Sequence, residues 1–161
     1  MQSGHILADL LARDGRDKAR IPYLSSPQLR ARTTMELMRG ALNLPPLKYA
    51  TDDRLREIGY GQWEGSTLAE MQAADPAFFA RRLADKWRVA PEGGETYEAV
   101  QRRMRDWYDS VRGDIVVVAH GGTARALMVA LGFETPASAA DLPIAQGAVY
   151  VFGDGGLKRY S

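Results

Sequence analysis

Apolar positions recur along this chain with two different spacings, and the alternation between them predicts a succession of helices and short strands. Ile6, Leu7, Leu10 and Leu11 fall on one face of a helix that begins almost at Met1. Ile21-Pro22-Tyr23-Leu24-Ser25 reads as a short strand. Ser26 is then placed to cap a helix whose first turn holds Pro27. Ala31, Thr34, Leu37, Met38, Ala41 and Leu42 form the inward face of that helix, and Pro45-Pro46 stops it. Residues 48–55 are a strand candidate leading into the Gly-rich loop Glu57-Ile58-Gly59-Tyr60-Gly61-Gln62-Trp63-Glu64-Gly65. Thr67-Leu68-Ala69-Glu70 is a capping box that starts a helix at Leu68. After the break at Pro91-Glu92-Gly93-Gly94, a further helix turns Val100, Met104, Trp107 and Val111 to one side. The apolar run from Asp114 to His120 has the character of a strand buried on both faces of a parallel sheet. It turns through Gly121-Gly122-Thr123 into a helix over Ala124–Leu131. Ala148–Phe152 and Leu157–Tyr160, separated by Gly153-Asp154-Gly155-Gly156, predict a terminal hairpin. Strands alternating with helices predict a three-layer α/β domain.

Composition narrows what such a domain does. The 161 residues are enough for one domain with a real core, and 45% apolar with 25% charged residues is ordinary for a folded soluble protein. A net charge of +1 gives no global attraction to nucleic acid or to an anionic membrane. The absence of Cys excludes disulfides, thiolate metal sites and a cysteine nucleophile, and two histidines, His5 and His120, cannot make a three-histidine zinc site. No metal or other cofactor is therefore expected. No apolar run approaches the roughly 20 residues of a membrane span, and the N-terminus lacks the pattern of a secretory signal. The expected compartment is the cytoplasm.

Candidate chemistry sits at strand ends, where ligands bind in open α/β sheets. Arg30 falls in the first turn of its helix, a position the macrodipole disfavours for a cation by some tenths of a kcal/mol. It is either a solvated arginine or one that faces an anion together with the helix N–H groups. His120 closes a strand and precedes two glycines and a helix start, an arrangement that suits an oxyanion or, equally, a hydrogen-bonded histidine in a tight turn. Glu57 stands in a glycine-punctuated loop, as a general acid or as a loop glutamate paired with Arg54 or Arg56. His5 reads as a surface or core-edge residue of the first helix.

Taken in order, four segments resemble the histidine phosphatase superfamily, the phosphoglycerate mutase-like proteins. They are Ser25-Ser26-Pro27-x-x-Arg30-Ala31-x-x-Thr34, Leu55-x-Glu57-x-x-x-Gly61-x-x-x-Gly65, Pro91-Glu92-Gly93-Gly94-Glu95-Thr96 and Ala119-His120-Gly121-Gly122. The resemblance runs from about Gly4 to the C-terminus. It implies a three-layer α/β/α sandwich with a mostly parallel sheet, a single domain over residues 1–161, and a short cap insertion at about 66–90. It implies that Arg30 clamps the phosphate, that Glu57 protonates the leaving-group oxygen and later helps activate water, and that His120 donates to phosphoryl oxygens with the Gly121 backbone beside it. Tyr60, Glu95 and Thr96 would belong to the substrate pocket.

The family's nucleophile is a histidine in an Arg-His-Gly element at the end of its first strand, and this sequence contains no Arg-His-Gly. Ser3-Gly4-His5-Ile6 aligns with the helix that follows that element. The central first strand is thus expected to be absent between the strand ending at His120 and the one matching Ala148–Phe152. That leaves a gap, a direct pairing of its neighbours, or a strand supplied by another copy. A late start codon, a trimmed chain and a shortened relative are the explanations to weigh.

The implied activity is hydrolysis of small phosphomonoesters through a phosphohistidine in the full-length form. The alternatives are mutase-type phosphoryl transfer and a non-catalytic phospho-ligand binding or regulatory domain. The expected partner is a small phosphorylated metabolite, with no nucleic acid or membrane, and a homo-oligomer is compatible with the sequence. Arg81-Arg82 superficially matches a mutase arginine pair but reads as a solvated helix face. The short cap favours a broad phosphomonoesterase.

Overall fold

Leu7 and Leu10 are the buried leucines of the first helix, α1 (Gln2–Arg13), with Ile6 and Leu11 at the edge of the same face and His5 exposed. This is a computed structural model; it describes residues 2–153 and 155–161, so Met1 and the expected turn residue Asp154 lie outside the described residues. Two compact units make up the chain. The first comprises residues up to 56 together with 109–120 and 143–161; the second comprises 57–108 and 121–142.

In the first unit, β1 (Tyr23–Ser25) is the middle strand of a three-stranded parallel sheet, between β2 (Ala50–Thr51) and β3 (Val116–Val118). Ser25 is level with Thr51 on one side and Val118 on the other, so the carboxyl ends of β1 and β3 lie side by side. Two further bonds carry the ladder past the strand ends: Ser26 N–H donates to Val118 O (2.9 Å) and Asp52 N–H to Ser25 O (3.1 Å). Helix α2 (Leu29–Ala41) follows β1, and Leu7, Tyr23, Met35, Met38 and Leu42 form the core between helix and sheet. Arg39, itself buried, lays its guanidinium over the Tyr23 ring at 4.3 Å and donates to Pro45 O (2.9 Å).

Several expectations need correction here. Helix α2 starts at Leu29 and not at the Ser26-Pro27 turn; its N-cap is Gln28, with an extended backbone and no side-chain cap bond. Pro27 disfavours helical backbone before it, and the Ser26 hydroxyl is engaged elsewhere, as described below. Leu37 is 54% exposed, because the buried stripe runs through positions 31, 35, 38 and 42, about 100° around the helix from it. β3 is only partly buried, since it is an edge strand with β1 on one side. The C-terminal strands β4 (Val149–Gly153) and β5 (Gly156–Tyr160) pair with each other as an antiparallel hairpin and form a separate sheet. Among the described residues β3 and β4 are not neighbours in a sheet, so the direct pairing of the two is not seen.

The second unit holds the short 3-10 turn Gly61–Trp63 and the α-helices α3 (Leu68–Ala74), α4 (Pro76–Ala84), α5 (Tyr97–Ser110, whose last two residues belong to the first unit), α6 (Gly121–Ala130) and α7 (Pro136–Ala139). The capping box places the start of α3: Thr67 Oγ1 accepts from Glu70 N–H while Glu70 Oε2 accepts from Thr67 N–H (2.7 Å). Tyr97, Val100, Met104 and Trp107 form the buried face of α5. Trp87 stacks on Tyr97 with ring centroids 5.0 Å apart, and Trp63 meets Phe78 edge-on at 5.0 Å. The chain is thus a mixed α/β protein with a parallel sheet, and no helix among the described residues is long and apolar enough to cross a membrane.

Candidate functional site

At the paired ends of β1 and β3 the structure brings together Arg30 and His120, residues 90 positions apart in the sequence. Arg30, in the first turn of α2, donates from Nε to His120 Nδ1 (3.2 Å) and from Nη2 to Gln28 Oε1 (3.3 Å). Its side chain is exposed. The other ring nitrogen, His120 Nε2, lies 2.8 Å from Ser26 Oγ. A guanidinium can only donate, so Nδ1 is the acceptor and the ring proton sits on Nε2, directed at the Ser26 hydroxyl. Ser26 is fully buried and also accepts from Gln28 N–H (3.3 Å). Ser26 is therefore the residue that orients His120, a role its reading as a helix cap missed. The Ser-Ser-Pro at a strand end was the available signal.

Glu57 belongs to the second unit. Its Oε1 accepts from Ile58 N–H (3.0 Å) and its Oε2 from Gly122 N–H (3.2 Å). The carboxylate thus sits at the N-terminus of α6, where the helix dipole favours a negative charge. That contact also explains why α6 starts at Gly121 and not at Ala124. A Cβ on Gly122 would lie 2.3 Å from Glu57 Oε1 and 2.8 Å from Ile58 Cγ2. Gly121, the residue after His120, is the first of the helix. The arginines weighed as partners for Glu57 form their ion pairs elsewhere, Arg54 with Asp52 (2.7 Å) and Arg56 with Asp53 (2.8 Å).

Tyr60, Glu95 and Thr96 lie in the same unit. Tyr60 N–H donates to Glu64 Oε1 (2.6 Å), and the Arg82 guanidinium lies 5.2 Å from the centre of its ring. Arg82 is buried and also donates to Val89 O. The solvated-face reading therefore holds for the exposed Arg81 and is corrected for Arg82, whose burial depends on Tyr60, 22 positions earlier in the chain. Glu95 is bound by both oxygens: Arg103 Nε reaches Oε1 (3.0 Å), and Arg103 Nη2 (2.9 Å) and Gly59 N–H (3.0 Å) reach Oε2. Burial pushes the Glu95 carboxyl up, but the Arg103 fork and the Gly59 amide outweigh it and hold it below the usual carboxylate range. Thr96 Oγ1 accepts from Ala99 N–H (3.1 Å), capping α5. Arg103 carried no sequence signal except its place beside the buried positions Val100, Met104 and Trp107.

Chemically, the first constellation offers a guanidinium and an imidazole at the carboxyl ends of two parallel strands, both suited to oxyanions. The second offers a carboxylate fixed by a helix N-terminus.

Comparison with known proteins gives this geometry a family. The profile of the histidine phosphatase superfamily (branch 1) matches residues 2–156. The chain is 32% identical over 136 residues to phosphoserine phosphatase 1 of Hydrogenobacter thermophilus, covering 81% of this chain and 63% of that one. It is 40% identical over 95 residues to glucosyl-3-phosphoglycerate phosphatase of Mycolicibacterium vanbaalenii, covering 50% and 40%. Both alignments span less than two thirds of the relative's length. Among solved structures, Bacillus stearothermophilus YhfR superposes with a TM-score of 0.70 at 26% identity, over 98% of this chain and 78% of that one.

Proposed function

Since the chain belongs to the histidine phosphatase superfamily (branch 1), we propose that it is a phosphatase that hydrolyses small-molecule phosphomonoesters. The observation that carries this reading is the Arg30–His120–Ser26 constellation at adjacent strand ends. In it, Arg30 and His120 hold the non-bridging phosphoryl oxygens with the Gly121 backbone, stabilising the charge that phosphoryl transfer spreads over them. With phosphate bound, Arg30 turns its donors from His120 to the oxygens, and Ser26 keeps the imidazole oriented. Glu57 gives a proton to the ester oxygen as the P–O bond breaks and the family's nucleophilic histidine takes the phosphoryl group, and it takes one from water when that phosphohistidine is hydrolysed. The family's attacking group is the histidine of Arg-His-Gly, an element these 161 residues do not contain. Tyr60, Glu95 and Thr96 are assigned to the substrate side, and residues 66–90, with α3 and α4, to a short cap that sets leaving-group choice. The names of the relatives, phosphoserine and glucosyl-3-phosphoglycerate phosphatases, support a small phosphorylated metabolite as substrate.

A second reading, a phospho-ligand binding domain without turnover, rests on the same Arg30–His120–Ser26 constellation, which suits an oxyanion whether or not it is transferred. Calorimetric titration with orthovanadate, alongside release of p-nitrophenol from its phosphate ester, separates the two. Both readings require vanadate binding that falls at least tenfold in Arg30→Ala and His120→Ala. Metal-independent turnover that Glu57→Gln abolishes supports the phosphatase; binding with no turnover supports the second reading. Vanadate affinity indifferent to Arg30 and His120 overturns both.

A further inference from the structure

Glu57 begins a stretch, residues 57–60, with no regular secondary structure, so the hydrogen-bond ladder of a helix or strand does not fix its backbone. The 91–95 loop fixes it instead. Gly59 and Glu95 exchange two bonds: Glu95 N–H donates to Gly59 O (2.8 Å) and Gly59 N–H donates to Glu95 Oε2 (3.0 Å). Just beyond, Gln62 N–H donates to Glu92 O (3.0 Å). Gly61, at φ 54°, lies so close that a Cβ would stand 2.0 Å from Glu92 O and 2.5 Å from Gly94 N. The Glu95 side chain is in turn held by Arg103 on α5 through two parallel bonds of 3.0 and 2.9 Å. These side chains are only 35% and 19% exposed.

We propose that the Glu95–Arg103 ion pair is a positioning device for Glu57, transmitting the location of α5 through Gly59 to the carboxylate that docks on the Gly122 amide. The proposal rests on the reading of Glu57 as the proton donor. Neither Glu95 nor Arg103 has to touch the phosphoryl group for this. Their effect is exerted on Gly59, two residues from Glu57. A general acid displaced by about 1 Å loses up to about a hundredfold in rate, and the 3.2 Å bond from Gly122 does not survive such a shift. The ionised state of Glu95 is part of the device, because only the anion accepts the guanidinium fork in this bidentate form.

The direct readout is the Gly122 backbone amide in ¹⁵N–¹H spectra, with Glu57→Gln as the reference for a changed acceptor. Arg103→Met is expected to shift that resonance and to speed its hydrogen exchange at least tenfold, with Arg103→Lys intermediate. The amides of β1 and of the Leu7–Met38 core should remain unmoved. In p-nitrophenyl phosphate hydrolysis by a protein that carries the Arg-His-Gly histidine, the same variants are expected to lower kcat tenfold or more with KM within twofold, a split that a purely structural pair would not give. If Arg103→Met does not fold, Glu95→Gln carries the test, because it keeps an oxygen for Gly59 N–H and replaces the one that accepts from Arg103 Nε by an amide donor. An unshifted, equally protected Gly122 amide in folded Arg103→Met or Glu95→Gln overturns the proposal. Should the amide respond while Glu57→Gln leaves hydrolysis intact, the positioning stands and the acid role of Glu57 is what falls.

Discussion

A methyl group at Gly122 would lie 2.3 Å from Glu57 Oε1 and 3.2 Å from its Cδ, so the residue that donates to the carboxylate is also the one that leaves room for it. Gly122 has a helical place in α6 where alanine is the better helix former by about 1 kcal/mol. Gly122→Ala therefore favours the helix while expelling Glu57 from its N-terminus, and the two effects separate by measurement. The expected outcome is a melting temperature within a few degrees of the parent and hydrolysis reduced at least tenfold. Vanadate affinity, assigned above to Arg30 and His120, is expected to be retained. Hydrolysis at the parent rate in Gly122→Ala would show that the contact between Glu57 and α6 is unimportant to the chemistry. His120 is fixed by the opposite device, a buried hydroxyl that accepts its ring proton. Ser26 and Gly122 act in the same sense, each within its own unit: one fixes an atom of His120 and the other an atom of Glu57.

At the scale of elements, the cost of a change follows from how local its contacts are. The start of α3 rests on one exposed capping box, so Thr67→Ala is expected to cost about 1 kcal/mol, read from urea unfolding. Gly61 stands where two loops press backbone on backbone. Gly61→Ala adds strain of about 1–3 kcal/mol for a left-handed residue to a clash no rotamer relieves. It should destabilise well beyond Thr67→Ala, and a smaller loss would mean that the two loops part easily. The same distinction explains what the sequence could reveal. The capping box, the stripe Val100–Met104–Trp107 and the terminal hairpin are written in neighbouring residues and were legible. So were the places of Arg30 and His120 beside strand ends and of Glu57 in an irregular glycine-rich loop. The start of α2 was not, because Ser26 answers to His120, 94 positions away. Nor was the exposure of β3, because an apolar run does not say which strands lie beside it. Arg82 looked like a surface charge and Arg103 gave no signal, and only the tertiary placement of Tyr60 and Glu95 gives them partners.

Over the whole molecule, partly buried carboxylates held below their usual range and tyrosines pushed above theirs occur in both units, and both kinds make stability depend on pH. In the first unit, hydrogen bonding from the Arg54 side chain lowers Asp52, while burial raises Tyr23 with Arg39 opposing in part. In the second, Glu95 is lowered because Arg103 and the Gly59 amide outweigh burial. Burial raises Tyr97, opposed by Arg125 and reinforced by Tyr60 and Glu57. For the carboxylates the unfolded chain binds protons more readily than the folded one, so their contribution is complete above the ordinary carboxylate pKa. It is lost as pH falls below about 4, through the depressed folded values. For the tyrosines the folded state holds its proton more tightly. Their contribution is complete below about pH 10 and disappears as pH rises through the elevated folded values. The melting temperature is therefore expected to form a plateau between these limits and to fall on both sides. Asp52→Asn and Glu95→Gln should lower the plateau and flatten its acid side, and Tyr97→Phe should flatten the alkaline side. A melting temperature that rises as pH drops from 5 to 3 would contradict the assignment, because it would mean that the folded protein gains by protonating groups which Arg54 and Arg103 hold as anions.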